Sequence, residues 1–379
     1  MCLTRRITMI IFTALLAFGC EPAPPSITPS GNIIKIGIIA PFSVSDVAKG
    51  EEGLRGIHTA MAMHPLLNNG DKVELVVRDD QNNPAKAVQA LKELTHTEQV
   101  AAVLTLSGSE TVLAMAGQAN VHQIPIVAVL ATHPDVTKDN HWVSQICFDN
   151  IFQGQVAAFF VRDDLLVDRV AIFKTPTNIY SSNLAAEFKD QFRALGGDVT
   201  DVVEILGEEA DLVQTLTRVR EKDPELLYMP LAAQDVIAIQ QVLKQIGWDP
   251  IEMASDGLLA TVISQHTEHL DLLDGLLATE FFHYLSQVTE FGQRAKKAHK
   301  GRATSYTAMA VEGFSILLDA MNRCDDPADR DCINRQIRST TDFEGLIGKI
   351  SIDAKGKAHR PLIVNGIKNG RMQYIVKVY

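Results

Sequence analysis

An α/β protein with two doubly wound parallel-sheet domains is the fold class the sequence predicts, and three observations predict it. The chain has 379 residues, against roughly 100 to 200 for one domain. Short β-branched runs alternate along it with amphipathic stretches of helical period. Near 140–150 the polar stretch Thr137-Lys138-Asp139-Asn140-His141 gives way to a fresh βα series, which places the first domain boundary there. A hydrophobic content of 46% is ample for buried cores and argues against disorder. The net charge of −11, without a run of Lys or Arg, lacks the positive stripe that a nucleic-acid partner needs. No period of 20–50 residues suggests a solenoid.

The first twenty residues read as an address. Arg5 and Arg6 precede an apolar run, Ile7 to Phe18, that ends at Gly19-Cys20. This is the three-part pattern of a secretory signal and is too short to span a bilayer comfortably. Leu16-Ala17-Phe18-Gly19-Cys20 resembles a bacterial lipobox, with Leu16 one place early, which makes Cys20 the expected lipidation site. Residues 21–32 carry Pro22, Pro24, Pro25 and Pro29 with no apolar period, as an extended tether requires. Loss of Arg5 and Arg6 would leave a charge of about −13, so contact with a membrane is expected only through the N-terminal lipid anchor.

The first strand is Ile34 to Ala40, followed by a helix from about Glu51 to His64. Further strands are predicted at Val73 to Arg78, Ala101 to Thr105, Pro125 to Val129, Arg169 to Lys174, Glu225 to Met229 and Leu276 to Glu280. Helices fall between them near 84–96, 111–120, 151–164, 184–195, 212–221 and 234–246. Asn83 before Pro84 marks a helix start, because the amide can cap the first turn and proline suits its first position. At the C-terminus Gly348 to Ile352, Leu362 to Asn365 and Met372 to Val378 are strand-like, separated by the turn sequences Asp353-Ala354-Lys355-Gly356 and Asn369-Gly370. These last strands must pair with something already built. Helical crossovers give parallel sheets, whose ligands lie beyond the carboxyl ends of the strands.

In an exported chain Cys324 and Cys332 form a natural disulfide pair, closing a polar loop between two helices. Cys147 is expected to be a buried, unreactive thiol. Several motifs fail as chemistry. Gly50 to Gly56 has GxxGxxG spacing and carries Glu51 and Glu52 where a phosphate would approach. Gly108-Ser109-Glu110 lacks the flanking glycines of a nucleophile elbow. His266-Thr267-Glu268-His269 departs from HExxH and reads as a solvated helix face. No nucleophile with a base at recognisable spacing is found, so no enzyme, metal or cofactor is expected.

Ile34 to Met61, Val73 to Leu91, Ala101 to Thr137 and Gly345 to Tyr374 together resemble the branched-chain amino-acid binding proteins, the type I periplasmic solute-binding family of ABC transporters. The likeness rests on Ile36-Gly37-Ile38-Ile39-Ala40-Pro41-Phe42-Ser43, Asp79-Asp80-Gln81-Asn82-Asn83-Pro84 and Ile124-Pro125-Ile126-Val127. Tyr180, Ser255-Asp256-Gly257, Ser305-Tyr306-Thr307-Ala308 and Asp342-Phe343-Glu344-Gly345 add to it in the second half. The resemblance implies two lobes joined by three crossovers with a ligand cleft between them. Lobe one would be 33–150 plus 280–357, and lobe two 151–279 plus 358–379.

By the same resemblance Ser109 and the segment Leu130-Ala131-Thr132 would hold an amino-acid carboxylate, Asp256 its ammonium, and Tyr180 would stand in the cleft. Lys49 replaces a usual aromatic side chain and is expected either to pair with a second acidic group on the solute or to reach solvent. With Ser181 and Ser182 it suggests a solute more polar than leucine. The implied function is capture of an amino acid or related small zwitterion by hinge closure, by a monomer, for delivery to a permease in the inner membrane. A regulatory lipoprotein on the same fold, acting on an envelope partner without transport, is the alternative of a different class.

Overall fold

The computed structural model describes residues 27–206, 211–284 and 288–379. The signal segment 1–20 with Cys20, and the tether as far as residue 26, lie outside the described residues.

The chain builds two sheets in turn. β1 (Ile33–Ala40), β2 (Lys72–Asp79), β3 (Ala102–Thr105), β4 (Ile126–Ala128) and β5 (Val143–Gln145) form a parallel sheet in the order β2-β1-β3-β4-β5. Their crossovers include α1 (Val47–Met63), α2 (Pro84–His96) and α3 (Ser109–His122). α2 starts where Asn83 and Pro84 predict: the Asn83 amide oxygen accepts from the N–H groups of Ala85 and Lys86. Ile36, Ile38, Val103 and Leu104 are fully buried, as strands covered on both faces require.

After α4 (Asn150–Phe159) come β6 (Arg169–Lys174), α5 (Ile179–Ala194), β7 (Asp198–Glu204), α6 (Leu212–Glu221), β8 (Leu226–Met229), α7 (Ala233–Ile246), β9 (Ile251–Ala254), α8 (Leu258–Gln265) and β10 (Leu277–Glu280). α9 (Glu290–Ala298), α10 (Ser305–Asn322) and α11 (Arg330–Arg338) follow. Next come the short strands β11 (Phe343–Glu344), β12 (Lys349–Ile352) and β13 (Ala358–His359), which form a small sheet of their own. β14 (Leu362–Lys368) then pairs antiparallel with β10, and β15 (Arg371–Val378) with β14, completing the order β15-β14-β10-β9-β8-β6-β7. The C-terminal strands therefore join a sheet already built, as their sequence demands.

α10 is buried on almost every side and packs along α1, which returns this part of the chain to the five-stranded lobe. An all-round apolar helix belongs inside a core; no helix among the described residues is long and apolar enough to cross a membrane. The chain passes between the two large sheets after β5, after β10 and before β14. At the last passage Arg360 Nη1 lies 2.7 Å from Glu312 Oε2 of α10, both side chains only 1% exposed.

The strands β5, β7 and β9 are absent from the sequence expectation. β5 and β9 have three and four residues, and β7 interleaves Asp198, Asp201 and Glu204 with its valines as an edge strand does. α1 and α5 begin four to five residues earlier than periodicity suggests. At α5 the reason is Asn178, whose side chain accepts from the Ser181 N–H. Cys324 and Cys332 are disulfide-bonded with Cα atoms 5.9 Å apart. Cys332 stands in the first turn of α11 rather than in the loop.

Candidate functional site

The carboxyl ends of both sheets open on one cavity of about 340 Å³. Asp46 follows β1, Ser109 follows β3 and Leu130 follows β4; Thr175 follows β6, Pro230 follows β8 and Asp256 follows β9. Each is held by a strand end and the turn into its crossover, so the wall is rigid where the residues must be placed.

The wall of the five-stranded lobe carries hydrogen-bond donors beside the carboxylates of Asp46 and Glu110. α3 begins at Ser109, and Gly108 before it offers no side chain to cap the first turn. Its first N–H groups are therefore free of any capping side chain, at the end of a helix that favours negative charge. Ser109 Oγ accepts from the His133 N–H at 3.1 Å, which leaves the hydroxyl proton to donate. Lys49 stands over the same turn: its Nζ is 3.8 Å from where a Cβ on Gly108 would lie. Lys49 also pairs with Asp46 at 2.6 Å, and its charge holds the Asp46 carboxyl below the usual range. The expectation that Lys49 serves the solute or solvent alone omitted this partner three residues back, a spacing that puts both on one side of the helix start.

The wall of the seven-stranded lobe carries the acceptor. Tyr180, in the first turn of α5, donates to Asp256 Oδ1 at 2.6 Å and lies 2.7 Å from Ser255 Oγ. Burial pushes the Asp256 carboxyl up, while hydrogen bonds from Tyr180 and Gln153 and the charge of Lys49 pull it back. Burial and the neighbouring Asp256 push the Tyr180 phenol well above its ordinary value. Gly257 follows at φ +81, where a Cβ would lie 2.6 Å from the Tyr306 hydroxyl. Tyr306, on α10, donates to the Gly257 carbonyl at 2.9 Å, so a side chain of one lobe touches the other beside the cavity.

Ser109, Leu130, Tyr180, Asp256 and Lys49 thus line one cavity. Ala131 and Thr132 do not: both are fully buried behind the wall. The Ala131 carbonyl accepts from the Gln145 amide and from Cys147 Sγ, and Thr132 Oγ1 is buried with no hydrogen-bond partner. The two serines expected to add polarity both bond to backbone. Ser181 lines the cavity, but its Oγ accepts from the Thr175 N–H at 2.9 Å. Ser182 Oγ donates to the Thr175 and Pro176 carbonyls, each 3.2 Å away. Burial raises the Cys147 thiol far above its ordinary value, which removes it as a nucleophile. Sequence reasoning missed Asp46 and gave no role to Tyr306; the Asp46–Lys49 spacing was the available signal.

Comparison with known proteins gives one answer. The sequence model described as periplasmic binding protein matches residues 33–371. Leu/Ile/Val-binding protein homolog 2 of Brucella abortus (strain 2308) is 24% identical over 348 residues, 85% of this chain and 87% of that protein. The crystal structure of the leucine binding protein LivK from Thermotoga maritima MSB8 matches with a TM-score of 0.83 at 28% identity, over 91% of this chain and 98% of that one. LivJ from Streptococcus pneumoniae, a branched-chain amino acid transporter substrate binding protein solved with isoleucine, matches with a TM-score of 0.82 at 20% identity, covering 92% and 100%. With its two parallel-sheet lobes and the cavity between them, the chain belongs to the periplasmic binding protein family.

Proposed function

We propose that this chain is the extracytoplasmic receptor of an ABC transporter, and that it captures an amino acid or a related small zwitterion and hands it to a permease. One observation carries the reading: anion donors on one lobe and a carboxylate on the other line the same cavity. A carboxylate fits the α3 start with Ser109, since charge-assisted hydrogen bonds are about twice as strong as neutral ones. An ammonium fits Asp256, already oriented by Tyr180. A solute held at both ends ties the lobes together, and a permease distinguishes loaded from empty receptor by that closure. The lobes that close are 33–150 plus 280–357 and 151–279 plus 358–379. Segment 1–20 directs export, Cys20 carries the lipid anchor, and the receptor works as a monomer without catalysis.

The solute has a polar side chain. The Lys49–Asp46 pair in the lining supports this, because an aliphatic side chain against it would strip water from two charges without replacing their hydrogen bonds. Calorimetry with the common amino acids tests both levels. Polar amino acids should bind and leucine should bind weakly. Tight binding of leucine, isoleucine and valine alone would refute the polar preference, and silence towards every amino acid would refute the receptor reading.

A further inference from the structure

A second cavity of about 330 Å³ lies away from the cleft, and its chemistry is different. Ile263, Phe282, Val311, Leu346 and Met372 make its interior apolar. They come from α8, the passage after β10, α10, the turn before β12, and β15, so the cavity touches both lobes. Lys296, His299 and Arg302 stand in the same wall, and the described lining residues include no Asp or Glu. In a chain with 46 acidic residues against 35 Lys and Arg, two cations beside an apolar space with no carboxylate among its described lining residues form a local reversal of sign.

His299 adds an unfilled valence. Its Nδ1 lies 2.9 Å from Thr59 Oγ1, whose own proton goes to the Arg55 carbonyl at 2.9 Å. Nδ1 is therefore the protonated nitrogen of that contact. Nε2, the acceptor nitrogen, is buried with no hydrogen-bond partner among the described residues, although a buried polar atom ordinarily has one.

We propose that this cavity is a second binding site, for a small amphipathic monocarboxylate. The hydrocarbon part fills the apolar interior and the anionic head meets Lys296 and Arg302. Burial of a short alkyl chain supplies affinity, and the basic rim selects the sign of the head. The site shares no lining residue with the amino-acid cleft.

Titration calorimetry of the full chain with sodium octanoate and with octylammonium chloride tests it. One equivalent of octanoate should bind and octylammonium should not. The surface pair Lys296→Glu with Arg302→Glu should weaken octanoate at least tenfold, Ala308→Phe should abolish its binding by filling the cavity, and Asp256→Ala should leave it unchanged. Absence of octanoate binding overturns the proposal, as does equal binding of octylammonium or an unweakened Lys296→Glu, Arg302→Glu variant. Loss of octanoate binding in Asp256→Ala also overturns it, because the probe would then occupy the cleft. If Ala308→Phe does not fold, the charge-reversed pair decides alone.

Discussion

The two walls of the cleft are built from the same architectural position and differ in chemistry. On the five-stranded lobe the ends of β1 and β3 present Lys49, the Ser109 hydroxyl and an uncapped helix start. On the seven-stranded lobe the end of β9 presents Asp256, held by a tyrosine from the helix after β6. The doubly wound fold decides where ligand groups stand, and the side chains there decide the sign of what they hold. In the receptor proposed above, a zwitterion would need both walls, and recognition and closure would be one event.

The comparison breaks most directly at Asp256. Asp256→Ala should weaken amino-acid binding at least a hundredfold, about 2.7 kcal/mol, because it leaves the ammonium unpaired in a closed site; calorimetry reads this. A wild-type pH series gives an independent check. Burial raises the Asp256 carboxyl, and an ammonium beside it would restore the ionised form. Binding then releases a proton, and affinity should fall as pH is lowered through that raised range. A pH-independent affinity would place the ammonium elsewhere.

Where the walls meet, Glu280 offers a second test. At the end of β10 its Oε1 accepts from the Leu259 N–H at 3.2 Å, and its Oε2 from the hydroxyl of Ser305, which opens α10, at 2.6 Å. Burial raises its pKa from 4.5 to about 7. The folded chain keeps a proton that the unfolded chain gives up above pH 4.5, so the stability this group favours is present at low pH and lost as pH rises through about 7. Glu280→Gln removes the charge and keeps an acceptor for the Leu259 N–H, its NH₂ donating to Ser305 Oγ in place of the bond that Oε2 accepts. It should stabilise the protein by about 1–3 kcal/mol at pH 8 and have no effect at pH 4, measured by urea unfolding.

Ser109→Ala sharpens the donor wall. Loss of one hydrogen bond to a charged group should cost about tenfold in affinity, roughly 1.5 kcal/mol. The uncapped N–H groups of α3 remain, so binding should persist. An effect as large as that of Asp256→Ala would mean that the hydroxyl, rather than the helix start, holds the carboxylate.

Much of this was legible in the sequence. Short β-branched runs located β1, β3, β4, β6, β8 and β10, because strands buried on both faces must be continuously apolar, and the valines of β2 located that edge strand despite its partial exposure. β7 escaped because an edge strand keeps acids on its open side, and β5 and β9 are too short to show a period. In the cleft, Ser109, Leu130, Tyr180, Asp256 and Lys49 come together because each follows a strand end. Ala131 and Thr132 share that feature in sequence, but the chain turns after Leu130 and takes them into the core. What sequence does not reveal is which groups neutralise each other: the Asp46–Lys49 pair depends on the residue before α1 taking φ 57, and His299 depends on α9 lying beside α1.

The smallest expected effect separates neighbours. Ser181 and Ser182 are indistinguishable by sequence, both hydroxyls in the first turn of α5 beside Tyr180. Ser182 Oγ faces the Thr175 and Pro176 carbonyls, so Ser182→Ala removes a contact with backbone and nothing from the cavity wall. Amino-acid affinity should change less than twofold, with a stability loss of about 1 kcal/mol from the freed carbonyls. Ser181 takes the Thr175 N–H and still faces the cavity, where its proton is available. Ser181→Ala should therefore lower affinity for polar amino acids more than Ser182→Ala does. Equal effects would mean that position on the helix turn, rather than the direction of the hydroxyl, governs what reaches the solute.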